Sequence, residues 1–335
     1  MNSSNPAPKR IVFLRDSPSM LQEPEAIRIL EEGGFAVLRE LKPGDEQNVI
    51  ATVLAFGAFT VADAAQFPNL RTVARFGAGY DNIDARGLWD SRKISVSCTP
   101  DLSNRDVAEL ALALTILATR AAPRDIKALG AEKSAWRVIE RRLSLSDSTI
   151  GIVGCGHIGM ETARLIAPLA GRTLLWNRTR KPEIDLAALG GRCEWVDSLD
   201  DVAARSDVVS LHVFLNEQTH NMIGAPFFAR LKAAGRSIAL VNTGRGELVD
   251  EAALLQALAD GVVHDAAIDV WSAEGAKTSE VVLALRRHPA VLPTSHLGAY
   301  TTGVRHRYAM QVSRNIVALV DGKPDDVAGF VVDPR

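Results

Sequence analysis

Cysteine, long apolar runs and charge of one sign are all scarce in this sequence, and each shortage excludes something. Three cysteines, Cys98, Cys155 and Cys193, are scattered over 335 residues. No C-x-x-C pair or Cys/His ligand spacing joins them, so neither a disulfide framework nor a metal site is expected, and a reducing cytoplasm is the simplest location. The 38 basic and 40 acidic residues nearly cancel, to a formal charge of -2, and form no block of one sign. That argues against nucleic acid or an anionic membrane as partner. The most apolar helical stretch, 107–122, is broken by Glu109 and Arg120, and residues 1–10 are polar with two prolines. Neither a membrane span nor an apolar export signal is expected. A repeat of fixed period and a low-complexity segment are also missing.

What is there is ordinary globular material. With 47% apolar residues, the length exceeds what one minimal core needs and favours two domains. Short β-branched runs alternate with helical patterns, the signature of βαβ units around parallel sheets. A first series has strands at 10–14, 49–55, 72–76 and 94–97, with helical spacing at 24–32, 61–67 and 84–90. A second runs through 148–153, 173–176, 207–212, 237–242, 266–269 and 291–292, six strands that fit a doubly wound nucleotide-binding sheet. Helical stretches at 104–120, starting from a Ser103 or Asn104 cap, and at 302–319 link the series. The expected fold is α/β, two Rossmann-like or flavodoxin-like parallel-sheet domains with a cleft between them. Residues 1–103 with 303–335 form the expected substrate domain, and 104–302 the dinucleotide domain.

The turn Gly154-Cys155-Gly156-His157-Ile158-Gly159 follows the apolar strand at 149–153 and precedes helical spacing, the context that a dinucleotide fingerprint requires. Gly154 permits the tight turn, Gly156 a close backbone approach to pyrophosphate, and Gly159 close helix packing, while amides at the helix start attract the phosphates. A carboxylate at the end of the following strand ordinarily holds the ribose 2′-hydroxyl of NAD. This chain has Trp176-Asn177-Arg178-Thr179-Arg180 there. Two guanidiniums and a hydroxyl suit a 2′-phosphate, which makes NADP(H) the preferred cofactor. In the other reading, Arg178 and Arg180 are solvated loop charges and Asn177 meets the ribose of NAD(H). Cys155 reads as a tolerated small residue, with no partner base evident.

Three later strand ends carry Arg245, in Asn242-Thr243-Gly244-Arg245-Gly246, then Glu274, after Asp269-Val270-Trp271, and then His296, in Ser295-His296-Leu297-Gly298. Ligands gather at the carboxyl edge of a parallel sheet. A fixed cation, a carboxylate and an imidazole there are what is needed to orient a keto acid and protonate its carbonyl oxygen.

With Arg75-Phe76-Gly77-Ala78-Gly79-Tyr80-Asp81-Asn82-Ile83-Asp84 and Val107-Ala108-Glu109 added, these motifs resemble, in order and over nearly the whole chain, the D-isomer-specific 2-hydroxyacid dehydrogenases. That family includes D-3-phosphoglycerate dehydrogenases and glyoxylate/hydroxypyruvate reductases. The resemblance implies that Arg245 binds the carboxylate of a small 2-keto or 2-hydroxy acid and that His296 exchanges the proton. It implies that Glu274 pairs with His296, since a carboxylate favours imidazolium. Turn amides around Ala78 and Gly79 would take the other side of the carboxylate. Cofactor contacts are implied at Val107, His157, Ile158, His212, Val213, Thr219, Thr243, Gly244, Asp269 and Gly298, and a homodimer is implied as the assembly. Taken alone, His212 reads as a strand-end histidine satisfied by local backbone. The sequence departs from the family at Gly275 and Ser295, where proline is frequent, and at Asp101, where glycine is common. Of the tryptophans, Trp271 reads as a pocket wall. Beside NADP(H)-dependent reduction of the 2-keto acid to the D-2-hydroxy acid stand two alternatives. One is an NAD-linked 2-hydroxyacid dehydrogenase working in the oxidative direction. The other, from another class, is a dinucleotide-sensing interaction protein, because fold alone does not establish chemistry.

Overall fold

A computed structural model of the chain describes residues 10–130, 142–182, 184–272 and 278–331. The chain divides into two compact units, Met1–Ser103 with Tyr300–Arg335, and Asn104–Ala299.

In the first unit the strands are β1 (Arg10–Leu14), β2 (Phe35–Leu38), β3 (Val49–Leu54), β4 (Thr72–Arg75) and β5 (Ser95–Ser97), with helices α1 (Pro24–Glu32), α2 (Val61–Ala64) and α3 (Ala85–Arg92). All pairings are parallel, in the order β2-β1-β3-β4-β5, which is the flavodoxin-like winding. Side chains alternate across the sheet as the two-residue period of a strand demands. In β3, Ala51 and Val53 enter a core with Leu30 on one face and Leu54 a core with Phe59, Phe67 and Leu88 on the other, while a register shift against β1 puts Val49 on the side of Leu54.

The second unit opens with α4 (Asn104–Thr119) and α5 (Ala122–Gly130) and continues through β6 (Thr149–Val153), α6 (His157–Ile166), β7 (Arg172–Trp176), β8 (Cys193–Trp195) and α7 (Leu199–Arg205). Then come β9 (Val208–Leu211), α8 (Ala225–Ala233), β10 (Ile238–Asn242), α9 (Glu251–Ala259), β11 (Val263–Ile268), α10 (Glu280–Arg287) and β12 (Val291–Pro293). The strand order is β12-β11-β10-β9-β6-β7-β8, with all pairings parallel. It is the Rossmann winding, and the order reverses at β6, so ligands are expected beyond the carboxyl ends of β6 and its neighbours β7 and β9. In β10, Ile238 and Leu240 face one core and Ala239 and Val241 the other.

The chain then returns to the first unit as α11 (Thr302–Val320). Thr301 caps this helix by accepting the Val304 N–H (3.1 Å). Ala309, Val312, Ile316 and Val320 pack beside Ala26 and Leu30 of α1. Each large aliphatic side chain buried in this way contributes roughly 1.5–3 kcal/mol.

The structure differs from the sequence reading at three elements. Helical spacing over 61–67 predicts two turns, yet α2 stops at Ala64, because Pro68 disfavours helical geometry in the residue before it and Phe67 is drawn into the core. Strands β2 and β8 were not expected, so the second sheet has seven strands rather than six. Both are edge strands of three or four residues, too short to show a period.

Candidate active site

The glycine turn joins β6 to α6. Gly154 has φ +97, in the left-handed region, and a Cβ there would stand 2.7 Å from the His212 backbone. At Gly159 a Cβ would stand 1.9 Å from the Gly154 carbonyl oxygen, so glycine alone lets α6 start this close to the turn. At Gly156 a Cβ would meet nothing within 4 Å, which marks open space over the helix start. His157 is exposed and Ile158 half-buried. Burial pushes the Cys155 thiol up to about 12, so it stays protonated and is no nucleophile.

Two loops flank this turn. After β7, Asn177 accepts the Cys155 N–H through Oδ1 (3.0 Å) and donates to the Thr179 carbonyl (2.7 Å). This amide therefore ties the turn to the loop, while Arg178, Thr179 and Arg180 are exposed. After β9, His212 is bonded through Nε2 to Ser210 Oγ (2.9 Å). Its Nδ1 is buried without a partner among the described residues, and burial pushes the imidazole pKa down to about 4. The side chain is thus neutral near pH 7 and is not satisfied by local backbone. Val213 is half-buried against Gly154. Thr219 closes its own loop, accepting the Asn216 N–H (2.8 Å) and donating to the Phe214 carbonyl (2.7 Å).

The ends of β10, β11 and β12 are stitched together. Asn242 donates to the Arg245 carbonyl (2.7 Å) and accepts the Gly244 N–H (3.0 Å). The Asp269 N–H donates to the Asn242 carbonyl (2.9 Å), and the His296 N–H donates to the Asp269 carbonyl (2.8 Å). The buried Asp269 carboxylate accepts from Thr294 Oγ1 (2.5 Å), Leu297 N–H (2.8 Å) and Gly298 N–H (3.0 Å). This clamp holds His296 at φ +58, a costly backbone state for a non-glycine residue and one that persists only where its surroundings over-determine it. Asp269 thus acts on the histidine loop, a role that sequence alone did not reveal. Arg245 and His296 are both half-buried, and Arg245 Nη1 donates to the Gly244 carbonyl (2.9 Å). Val107 of α4 is buried, and a Cβ on Gly298 would lie 3.4 Å from it. Thr243 Oγ1 is buried without a partner among the described residues. Glu274 lies outside the described residues, as do Trp136 and Gly275. Trp271 is not a pocket wall: it is 4% exposed within the core, its indole N–H donating to the Thr294 carbonyl (3.0 Å).

The first unit has its own edge. Arg75, at the end of β4, donates to the carbonyls of Gly79 (2.7 Å), Phe76 (3.1 Å) and Leu54 (3.2 Å). The Gly77 carbonyl accepts the Thr99 N–H (3.0 Å). With three turn carbonyls so occupied, the Ala78 and Gly79 amides have no partner among the described residues. Asp16 accepts the N–H groups of Ala55, Phe56 and Gly57 (2.5, 2.9 and 2.5 Å), and Asn82 donates to the Phe56 and Gly57 carbonyls (2.9 and 2.7 Å). Asp101 has φ +65, taking a left-handed conformation that aspartate tolerates better than most residues.

The donor set fits a nicotinamide dinucleotide. Among the described residues, the second unit combines a helix start under open space, two buried polar atoms without partners on adjacent strand ends, and exposed guanidiniums with no carboxylate partner. Among the described residues no cluster of His, Cys, Asp or Glu could hold a metal ion. No described helix is long and apolar enough to cross a membrane.

Comparison with known proteins agrees with this geometry. The profile of the D-isomer specific 2-hydroxyacid dehydrogenase, NAD binding domain, matches residues 112–298. A glyoxylate/hydroxypyruvate reductase B from Erwinia tasmaniensis is 34% identical over 276 residues, 81% of either chain. An NADPH-dependent glyoxylate/hydroxypyruvate reductase from Sinorhizobium meliloti, solved with NADP and malonate, superposes with a TM-score of 0.78 at 26% identity, covering 98% of both chains. A D-lactate dehydrogenase from Aquifex aeolicus, solved with NAD and lactic acid, gives a TM-score of 0.83 at 22% identity, covering 97% of this chain and 100% of its own. At that identity the likeness speaks for the fold.

Proposed function

Because the chain belongs to the D-isomer specific 2-hydroxyacid dehydrogenase family, we propose that it reduces a small 2-keto acid to the D-2-hydroxy acid with NADPH in preference to NADH. The observation that carries the cofactor choice is the end of β7. Asn177 is turned back onto the glycine turn, no carboxylate occupies the strand end, and Arg178, Thr179 and Arg180 stand exposed beside it. The relative from Sinorhizobium meliloti is described as NADPH-dependent, which supports this reading.

Gly154, Gly156, His157, Ile158 and Gly159 would hold the pyrophosphate on the amides that start α6. Asn177, Arg178 and Thr179 would hold the 2′-phosphorylated ribose, and Val107, His212, Val213, Thr219, Thr243, Gly244, Asp269 and Gly298 the rest of the dinucleotide. Bound NADPH supplies a hydride for C2 of the keto acid. Arg245 pairs with the substrate carboxylate and polarises the 2-carbonyl, and the Ala78 and Gly79 amides are the first unit's own candidates for binding a carboxylate. His296, which the family resemblance pairs with Glu274, would give a proton to the carbonyl oxygen as that oxygen gains charge. The clamp on Asp269 fixes where the proton is delivered. We take the enzyme to be a homodimer, on the strength of the exposed apolar side chains Ile116, Ile126 and Leu129 on α4 and α5, and cytoplasmic, because its three cysteines are free and scattered.

The test is oxidation of NADPH by the purified enzyme with glyoxylate, hydroxypyruvate and larger 2-keto acids. His296→Asn keeps the left-handed backbone within reach of the substituted residue. It is expected to lower kcat by roughly 10²–10⁴ while the fluorescence-titrated affinity for NADPH is retained. Parental turnover by this variant would remove His296 from the proton step.

A further inference from the structure

The loops on either side of the glycine turn touch each other across it. Arg178, after β7, donates through Nη1 to Gln218 Oε1, after β9. Strand β6 lies between those two strands, so the contact spans the mouth of the crevice where α6 begins. Both ends of this strut are stiff. On one side Asn177 is bonded to the turn and to its own loop. On the other, Asn216 Oδ1 accepts the N–H groups of Gln218 (2.9 Å) and Thr219 (3.1 Å), and Thr219 bridges back to Phe214.

The chemistry of the acceptor matters as much as its place. A carboxylate holding Arg178 would cancel its charge, whereas an amide oxygen fixes the guanidinium and leaves that charge whole. Among the described residues, neither Arg178 nor Arg180 has an ion-pair partner. An exposed arginine ordinarily gives up rotamer freedom when it binds an anion, and holding it beforehand reduces that cost.

We propose that Gln218 is the positioning residue of the 2′-phosphate site, holding Arg178 over the crevice as an uncancelled cation and so setting the preference for NADP(H). The inference rests on the NADP(H) reading above. It makes Gln218, outside the family motifs, a determinant of cofactor choice that acts through Arg178.

The test is calorimetric titration of the full chain with adenosine 2′,5′-bisphosphate and with adenosine 5′-monophosphate, two probes that differ only in the 2′-phosphate. Gln218→Ala is expected to lower the preference for the bisphosphate roughly three- to tenfold, the worth of one hydrogen bond. Gln218→Glu, which pairs with Arg178 and repels phosphate, is expected to lower it further, by more than about tenfold. Arg178→Ala should abolish most of the preference, and adding Gln218→Ala to it should cost nothing more. In turnover, the loss falls on KM for NADPH relative to KM for NADH and not on kcat. If Arg178→Ala removes the preference but both Gln218 variants keep it, the role of Gln218 is overturned and the NADP(H) reading stands. If the Gln218 variants weaken both probes equally, the residue merely supports its loop, and the proposal is likewise overturned. A preference that survives Arg178→Ala overturns the NADP(H) reading, and the inference with it.

Discussion

Two glycine turns, 76–79 after β4 and 154–159 after β6, sit at the carboxyl ends of interior parallel strands, one in each unit, and what stands behind each of them differs. The second runs straight into α6 at His157, so its amides are backed by a helix start and its partial positive charge. The first is followed by residues 80–84 before α3 begins at Ala85, so no helix start stands directly behind it. In its place the turn has the Arg75 guanidinium, which takes up the Gly79 and Phe76 carbonyls, while the Ala78 and Gly79 amides have no partner among the described residues. Glycine in both turns only permits close approach. Under the function proposed above, what lies behind the glycine would decide between an extended pyrophosphate and a small carboxylate.

The comparison breaks most visibly at Gly159. A Cβ there would stand 1.9 Å from a backbone oxygen, which no side-chain rotation can relieve. Gly159→Ala is expected to weaken NADPH binding by about a hundredfold or more, because the first turn of α6 must move off the crevice, and to cost ~1–3 kcal/mol of stability as overpacking does. Fluorescence titration and chemical denaturation measure the two effects, and parental affinity would show that the helix start is not the phosphate site. The next largest effect belongs to Arg75. Arg75→Lys leaves a cation but cannot reach three carbonyls in a fork, so KM for the keto acid should rise about tenfold while the NADPH affinity holds. Equal losses of both would mean that the two turns are not separate devices.

The sequence made legible what spacing can encode. The glycine turn, the strand ends bearing Arg245 and His296, and the parallel-sheet fold all follow from residue type at fixed offsets. Contacts made by topology were not legible. Gln218 reaches Arg178 across 40 residues and Asp269 reaches Gly298 across 29, and no local pattern announces either. Arg75 stood inside a recognised motif, but its grip on the Leu54 carbonyl depends on β3 and β4 being neighbours. Nearness in sequence to Glu274 suggests a pocket wall for Trp271, whereas the fold buries its ring in the core. Edge strands β2 and β8 escaped because so few residues carry no measurable period.

The two turns also differ in how they answer acid. Arg75 stays charged at every accessible pH, whereas the 154–159 turn is backed by His212, whose pKa burial pushes down to about 4 from the ordinary 6.5. Between those values the unfolded chain binds the proton and the folded chain refuses it. The stability that His212 contributes is therefore fully present above pH 6.5 and shrinks as pH falls toward 4, by at most ~3 kcal/mol. Asp265 opposes this: burial raises its carboxyl to about 7, so its contribution is full below pH 3.8 and is lost as pH rises through 7. The whole-protein curve mixes the two slopes, but subtracting a His212→Asn variant cancels Asp265. The denaturation free energy of the parent relative to that variant is expected to fall between pH 6.5 and 4, and NADPH affinity to weaken in the same window. A flat difference would show that His212 takes up its proton without disturbing the turn, leaving the two turns equally indifferent to acid.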